Sequence, residues 1–319
     1  MSTPPRAAPP RDDKAVAVVD LGTNSTRLLV ARRGQDGLVV LHRESTVTSL
    51  GSGVDLTGSL SAEAIERTCG VLAGYKEVWT SMKARTVLAS ATSAVRDADN
   101  GEAFVAEIRE RFDLDARILS GNEEAKLVFK GATAEEIDAG VEKTLVIDIG
   151  GGSTEIVVGA SADAGFHTSL QAGVLRHSER HLISDPPNPE ELENLANEIF
   201  STVRAATDRA DSGGITRAIA VAGTPAALAA IERGEPNPDR SDIHGALLSL
   251  ETVQRSLSRL SAMSHAERAE VPGLRADRAP FIVAGTVILI QIMRAFGVEE
   301  VEVSESDLMH GLALEAFAS

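Results

Sequence analysis

"VIDIGGGSTEIVVG", residues 146–159, decides the fold. An apolar run ends at Asp148 and Ile149, the chain turns through Gly150, Gly151 and Gly152, and after Ser153 and Thr154 a second apolar run begins. Short runs rich in Val and Ile and bounded by turn residues read as two strands. A turn needs one or two glycines, so three in succession imply that something comes very close to the backbone. The pattern also occurs earlier: Ala17–Val30, "AVVDLGTNSTRLLV", aligns without gaps to Leu145–Val158, "LVIDIGGGSTEIVV", placing Asp20 over Asp148. The identities fall on polar turn residues as well as apolar ones. A repeat of this long period points to two similar domains facing each other, not to a solenoid.

Each copy opens a mixed α/β unit. After the first come a third strand at "LVVLHRESTVTSL", a helix from Ser61 to about Met82, the strand "RTVLASAT", the helix "GEAFVAEIRERF" and the strand "ARILSG". Asn122 is a candidate cap for the helix that follows. After the second copy come a third strand at "GFHTSLQAG", a long helix opened by proline and acids, the strand "TRAIAVAGT", several helices, the strand "VEEVEVS" and a closing helix. The expected division is a disordered tail at 1–13, a first domain at 14–122 joined by about 299–319, and a second at 123–298.

The chain has 319 residues, 43% of them hydrophobic, enough for two ordinary domains with a sizeable core. A net charge of −16 argues against a general binder of nucleic acid or membrane surfaces, and 3% aromatics argues against a base-stacking surface. Cys69 is the sole cysteine, so no internal disulfide or cysteine-built metal cage exists; this fits a reducing cytoplasm. The N-terminus is rich in proline and charge and has no apolar core of a signal peptide. The longest apolar stretch, Phe281–Met293, is too short to span a bilayer and reads as a buried helix.

In both repeats an aspartate stands at the end of a strand, before a turn of glycine and small polar residues. Glycines let backbone N–H groups cradle phosphate oxygens, and Ser or Thr hydroxyls add donors. This makes Gly22, Thr23, Asn24 and Ser25 the first phosphate-binding set, and Gly150, Gly151, Gly152, Ser153 and Thr154 the second. A carboxylate is a hard oxygen ligand suited to Mg²⁺, with Asp148 the first candidate and Asp20 the second. A single D-x-G is common in plain turns; the facing pair reads as a clamp for a phosphate chain and its metal.

"DLGTNSTRLLV", "ATSAVRDA", "SGNEEAKLVFKGA", "DIGGGSTE", "VAGTPAALAA" and "IHG" occur in this order from Asp20 to Gly245. In these motifs the chain resembles the exopolyphosphatase / guanosine pentaphosphate phosphohydrolase family of the actin-like ATPase superfamily. "DIGGGST" is shared across the superfamily, whereas "SGNEEA" with "ATSAVRDA" upstream is much more specific. The resemblance implies an α/β fold of two similar ribonuclease H-like domains with mixed sheets and an interdomain active-site cleft. It implies an exopolyphosphatase that releases orthophosphate from inorganic polyphosphate with Mg²⁺ or Mn²⁺. Guanosine pentaphosphate (pppGpp) is the alternative substrate, and a homodimer is a family trait. Readings from other classes are an ATP-dependent small-molecule kinase and a non-catalytic polyphosphate sensor.

By its match to the family motif, Glu124 is the base that activates water. Its place in a first helical turn, where the dipole keeps a carboxylate ionised, agrees; complementing that dipole is its plain structural reading. Glu155 matches an acid that positions water or metal, and would otherwise be an ordinary strand residue. Arg27 and Arg96 are the cations to place near phosphate, or else surface ion pairs. Gly223 and Thr224 match a third phosphate-side turn and would equally serve as a helix cap. His177 and His181 have zinc-ligand spacing without an HExxH context and read as a solvated helix face. Cys69 reads as core. Pro225, Pro280 and Met309 depart from the family pattern, which bears on substrate choice more than on catalysis.

Overall fold

The computed structural model describes residues 15–318 except 36, 135–142, 161–162, 209, 211–212 and 236–242. The expected disordered tail, 1–13, lies outside the described residues. In the first unit, β1 (Ala15–Leu21), β2 (Ser25–Arg33) and β3 (Leu38–Val47) form an antiparallel meander. The helices α1 (Val54–Thr57) and α2 (Ala62–Ser81) follow, then β4 (Ala84–Ala91), α3 (Ser93–Asp97), α4 (Gly101–Phe112) and β5 (Asp115–Ile118). β4 returns parallel to β1 and β5 parallel to β4, so the order is β3-β2-β1-β4-β5.

The helix α5 (Gly121–Ala132) leads to the second unit: β6 (Lys143–Ile149), β7 (Thr154–Ala160), β8 (Asp163–Leu170), α6 (Val174–His181), α7 (Pro189–Thr207), β9 (Arg217–Val221) and α8 (Gly223–Arg233). There follow β10 (Ala246–Ser249), α9 (Leu250–Ser261), α10 (His265–Ala269), α11 (Ile282–Phe296), β11 (Glu300–Val303) and α12 (Leu308–Ala316). This sheet runs β8-β7-β6-β9-β11-β10. Its first four strands repeat the order and directions of β3-β2-β1-β4. Both units are thus ribonuclease H-like sheets, and the doubled hairpin marks the start of each. Residues 299–319 do not simply rejoin the first unit as expected. β11 is hydrogen-bonded between β10 and β9 of the second sheet, while α12 packs on α5 and β1.

Side chains alternate across a strand, and the buried residues sort accordingly. Ala15, Ala17, Val19 and Leu21 face α2 and α4, with Cys69, Leu72 and Phe104 in the same core. Leu145, Ile147 and Ile149 face a core with α7, α9 and α11. The other faces meet in the middle: Val16, Val18, Val146 and Val157 share a core with Val128, Phe129, Leu308 and Leu312 of α5 and α12. These two helices are therefore sandwiched between the sheets. Each large aliphatic side chain buried there contributes about 1.5–3 kcal/mol, which ties the two units into one body. The apolar stretch expected as a buried helix is α11, buried along most of its length. No described helix is long and apolar enough to cross a membrane.

Two local expectations change. The cap of α5 is Ser120, which accepts from the Glu123 N–H while the Glu123 carboxylate accepts from the Ser120 N–H; Asn122 lies inside the first turn. His177 is buried, not solvated: its Nδ1 meets the Gly173 carbonyl at 3.1 Å.

Candidate active site

The alternation that fills the central layer also builds the site. Asp20 shares a face with Val16 and Val18, Arg27 with Leu29 and Ala31, Asp148 with Val146, and Glu155 with Val157, so all four point toward α5 and α12. The hairpin registers then pair them: Asp20 lies opposite Arg27, and Asp148 opposite Glu155. The duplicated position is an ion pair in one unit and a pair of acids in the other.

Arg27 donates from Nε and Nη2 to Asp20 Oδ2 at 3.0 and 2.7 Å, and from Nη1 to Asp307, the N-cap of α12. Burial opposes the charge of Arg27, but Asp307, Asp20 and Asp148 hold its pKa above the ordinary value. Burial likewise pushes Asp307 upward, but Arg27, His310 and Arg43 together more than reverse that, leaving it well below the usual carboxylate range. Asp20 ends raised, because burial outweighs the help of Arg27.

Among the described residues the acid pair has no such cationic partner. Burial raises Asp148 to about 8; Arg27 pulls it down, and Asp307, Glu124 and Asp20 push it up. Glu155 is raised well above its ordinary value, by burial first and then by Glu124 and Asp148. The Ser169 hydroxyl donates to Glu155 at 2.7 Å. Gly121, at the start of α5, lies against this serine: a Cβ there would stand 2.5 Å from Ser169 Cβ. That close approach brings the first turn of α5 to the acid pair.

Glu124, on that turn, lines the cleft together with Asp20, Asp148 and Glu155, and is 6% exposed. The helix dipole does not keep its carboxyl strongly acidic, as the sequence reading expects. Burial dominates and raises it to about 7, against the pull of Arg96. Arg96 is not presented to the cleft. It donates from Nη1 to Glu124 Oε2 at 3.0 Å and to the Leu119 carbonyl at 2.8 Å, and so holds the glutamate in place.

The glycines face the other turn. A Cβ on Gly151 would lie 2.7 Å from the Asn24 nitrogen, and one on Gly152 would lie 2.6 Å from the Thr23 hydroxyl. Their carbonyls point back: Gly150 accepts from Val174 N–H and Gly151 from Leu175 N–H. Among the described residues no backbone carbonyl accepts from the N–H of Thr23, Asn24, Gly151 or Gly152. The turns thus touch each other and leave amide donors at the cleft, a cradle for phosphate oxygens. Gly22, Ser25, Ser153, Gly223 and Thr224 also line it. Thr154 does not: it is buried, and its hydroxyl donates to the Ala172 carbonyl.

Beyond Arg27, Ala222, Gly223 and Arg278 the cleft opens into a cavity of about 440 Å³. Its lining includes Arg43, Arg275 and Arg278, the acids Glu44 and Glu305, and the apolar Ala226, Ala227, Ala230, Ile243 and Met309.

The sequence pattern of the Ppx/GppA phosphatase family matches residues 29–319, nearly the whole described fold. The chain belongs to the Ppx/GppA phosphatase family. Exopolyphosphatase 2 of Mycobacterium tuberculosis is 33% identical to it over 312 residues, 94% of this chain and 97% of that protein. The crystal structure of an exopolyphosphatase-like protein has a TM-score of 0.89 at 29% identity, covering 95% of this chain and 97% of the other. A family member from Aquifex aeolicus has a TM-score of 0.78 at 27% identity, covering 96% and 98%. The protein is therefore a phosphatase, a hydrolase of the Ppx/GppA type.

Within this Ppx/GppA fold the departures take definite places. Pro225 sits in the first turn of α8, where a missing N–H breaks no helical bond. Met309 is buried in the wall of the larger cavity, and Pro280 is half-buried just before α11. His244 accepts from the Glu305 N–H at 3.2 Å. Sequence reasoning missed Asp307 and Arg278. Asp307 carries a capping signal, an acid before an apolar helix, but nothing local announces its ion pair with Arg27.

A hard divalent cation fits the donors present. Asp148 and Glu155 are acids with raised pKa values, and Asn24 Oδ1 is a buried acceptor at the cleft with no hydrogen-bond partner among the described residues. No group of three described His, Cys, Asp or Glu residues is gathered closely enough to hold an ion unaided. Mg²⁺ commonly takes one or two carboxylates and completes its shell with water and substrate phosphate, so Asp148 and Glu155 would hold it only with those further ligands. Asp20 is the lesser candidate, since its Oδ2 is occupied by Arg27.

Proposed function

We propose that the protein is a metal-dependent exopolyphosphatase that removes the terminal phosphate of inorganic polyphosphate as orthophosphate, with water activated by Glu124. One observation carries the reading: Glu124 is buried at the cleft wall beside the two phosphate turns, with a carboxyl poised at about 7. A base near the working pH combines a useful ionised fraction with a real affinity for the proton. Hydrolysis of a phosphoanhydride needs water in line, neutralised charge and positioning, with little covalent chemistry by the protein.

The terminal phosphate lies in the cradle of amides from Thr23, Asn24, Gly151 and Gly152. Glu124, oriented by Arg96, takes a proton from water as the water oxygen bonds to phosphorus. The bond to the bridging oxygen breaks, and the shortened chain leaves with that oxygen. Mg²⁺ or Mn²⁺ held by Asp148, with Glu155 and Asn24 beside it, would neutralise charge on the transferred group. The following phosphates would meet Arg43, Arg275 and Arg278 in the larger cavity, with Arg43 and Arg275 exchanging the carboxylates of Glu305 and Asp277 for phosphate oxygens.

pppGpp is the second reading, favoured by the apolar wall of Ala226, Ala227, Ala230, Ile243 and Met309. A polyphosphate chain has no use for that wall, whereas a nucleoside does.

The test is orthophosphate release by the purified protein with Mg²⁺, from polyphosphates of several lengths, from pppGpp and from ATP. Release from polyphosphate without an acceptor is expected, with a loss of about 10²–10⁴-fold in Glu124→Gln. Full activity in that variant refutes the base. Phosphate transfer only in the presence of an acceptor alcohol makes the protein a kinase.

A further inference from the structure

Arg176, on α6, hydrogen-bonds the glycine turn of the second unit to the first unit. Its three guanidinium nitrogens go to three different segments. Nε donates to the Gly152 carbonyl at 2.9 Å, Nη1 donates to Asp55 of α1, and Nη2 donates to Asp97 of α3 at 2.8 Å. The Arg176 side chain is 13% exposed, while Asp55 and Asp97 are exposed residues whose side chains are 22% and 27% exposed.

The α3 segment is the meeting point. Arg96 and Asp97 are adjacent in sequence; Arg96 holds Glu124 and Asp97 holds Arg176. Ser93, at the other end of α3, donates to Asp97 at 3.3 Å, and a Cβ on Gly152 would lie 2.7 Å from its hydroxyl. A continuous set of bonds therefore runs from the Gly152 carbonyl through Arg176, Asp97 and Arg96 to the Glu124 carboxyl. A guanidinium fork suits this task because its donors are fixed in one plane; a lysine would offer a point charge. Arg180, one turn further along α6, pairs with Asp55 and Glu198 but has no bond to the glycine turn.

We propose that Arg176 is a positioning residue, which keeps the Gly150–Gly152 turn in register with Glu124 by clamping α3 to the Gly152 carbonyl. The inference rests on Glu124 acting as the base. Arg176 touches no reacting atom. It fixes the distance between the cradled phosphate and the base, and misplacement of reacting groups by about 1 Å lowers rates by about 10²-fold.

The experiment compares Arg176→Met, Asp97→Asn, Arg180→Met and Glu124→Gln with the parent in orthophosphate release from polyphosphate, alongside thermal unfolding. Arg176→Met is expected to lower kcat by about 10²-fold with KM within about threefold. Asp97→Asn, which keeps shape and removes the charge, is expected to show the same split at about tenfold, and serves if Arg176→Met does not fold. Arg180→Met removes a pair between the two units without touching Gly152 and is expected to keep kcat within about threefold of the parent. The inference is overturned if Arg176→Met or Asp97→Asn retains parental kcat, if their losses lie in KM, or if Arg180→Met loses as much kcat as Arg176→Met. An inactive Glu124→Gln beside a fully active Arg176→Met sinks this inference alone, whereas an active Glu124→Gln sinks the base assignment.

Discussion

Gly152 packs so closely on Thr23 that a Cβ at Gly152 would stand 2.6 Å from the threonine hydroxyl. The two copies of the repeated turn are thus in contact, and Gly151 and Gly152 need to be glycine because Thr23, Asn24 and Ser93 occupy the space their side chains would take. Gly152→Ala must push the turns apart. Overpacking of this kind costs about 1–3 kcal/mol, or about 1.5 °C of Tm for each kcal/mol in a chain of 319 residues. Activity should fall by about 10²-fold, because the amide cradle widens. Thermal unfolding and phosphate release together check this, and a variant as active as the parent would show that the contact does not set the cradle.

The pH profile follows from Glu124. The base works only when ionised, so kcat/KM should rise with pH through about 7 and then level off. Arg96 pulls this carboxyl down, so Arg96→Met should move the rise to higher pH. Activity at neutral pH then drops while activity in alkali partly recovers. A profile unchanged in Arg96→Met would separate the rise from Glu124.

Asp148 makes a stability prediction with the opposite sense to a salt-bridged acid. Its folded pKa, about 8, lies above the ordinary 3.8. Its contribution is therefore fully present below the ordinary value and is lost as pH rises through about 8. In metal-free protein, Asp148→Asn, which is always neutral, should have a higher Tm than the parent at alkaline pH and a similar one in acid. Melting curves across pH with a chelator present measure the difference; a lower Tm for the variant in alkali contradicts the burial argument.

Metal removal should silence the enzyme reversibly. A chelator is expected to abolish phosphate release, and Mg²⁺ or Mn²⁺ to restore it. The same ions should raise the Tm of the parent but not of Asp148→Asn, because a ligand that binds only the folded state stabilises it. Undiminished activity after exhaustive chelation would remove the metal from the reaction.

Much of this was legible in the chain. The repeat of Asp20 and Asp148, two residues before the first glycine of each turn, fixed two hairpins. The two-residue period of a strand then put Asp20, Arg27, Asp148 and Glu155 on one face of their sheets. The motif around Glu124 placed a carboxylate in the first turn of a helix. Backbone propensity and spacing decide such features locally, and they survive folding unchanged.

What the sequence could not decide was which distant groups would meet. Arg27 binds both Asp20 and Asp307, near the far end of the chain, so the first aspartate has a cationic partner that the second lacks among the described residues. Arg96 turns to Glu124, Thr154 to the Ala172 carbonyl, and Arg176 to three segments at once. Desolvation also raises Glu124 to about 7, against the dipole that its sequence position alone would stress. Spacing along a chain fixes which face a side chain takes. Burial, and the charges brought within a few ångströms from elsewhere, set its proton affinity and its partner, and only tertiary packing supplies both.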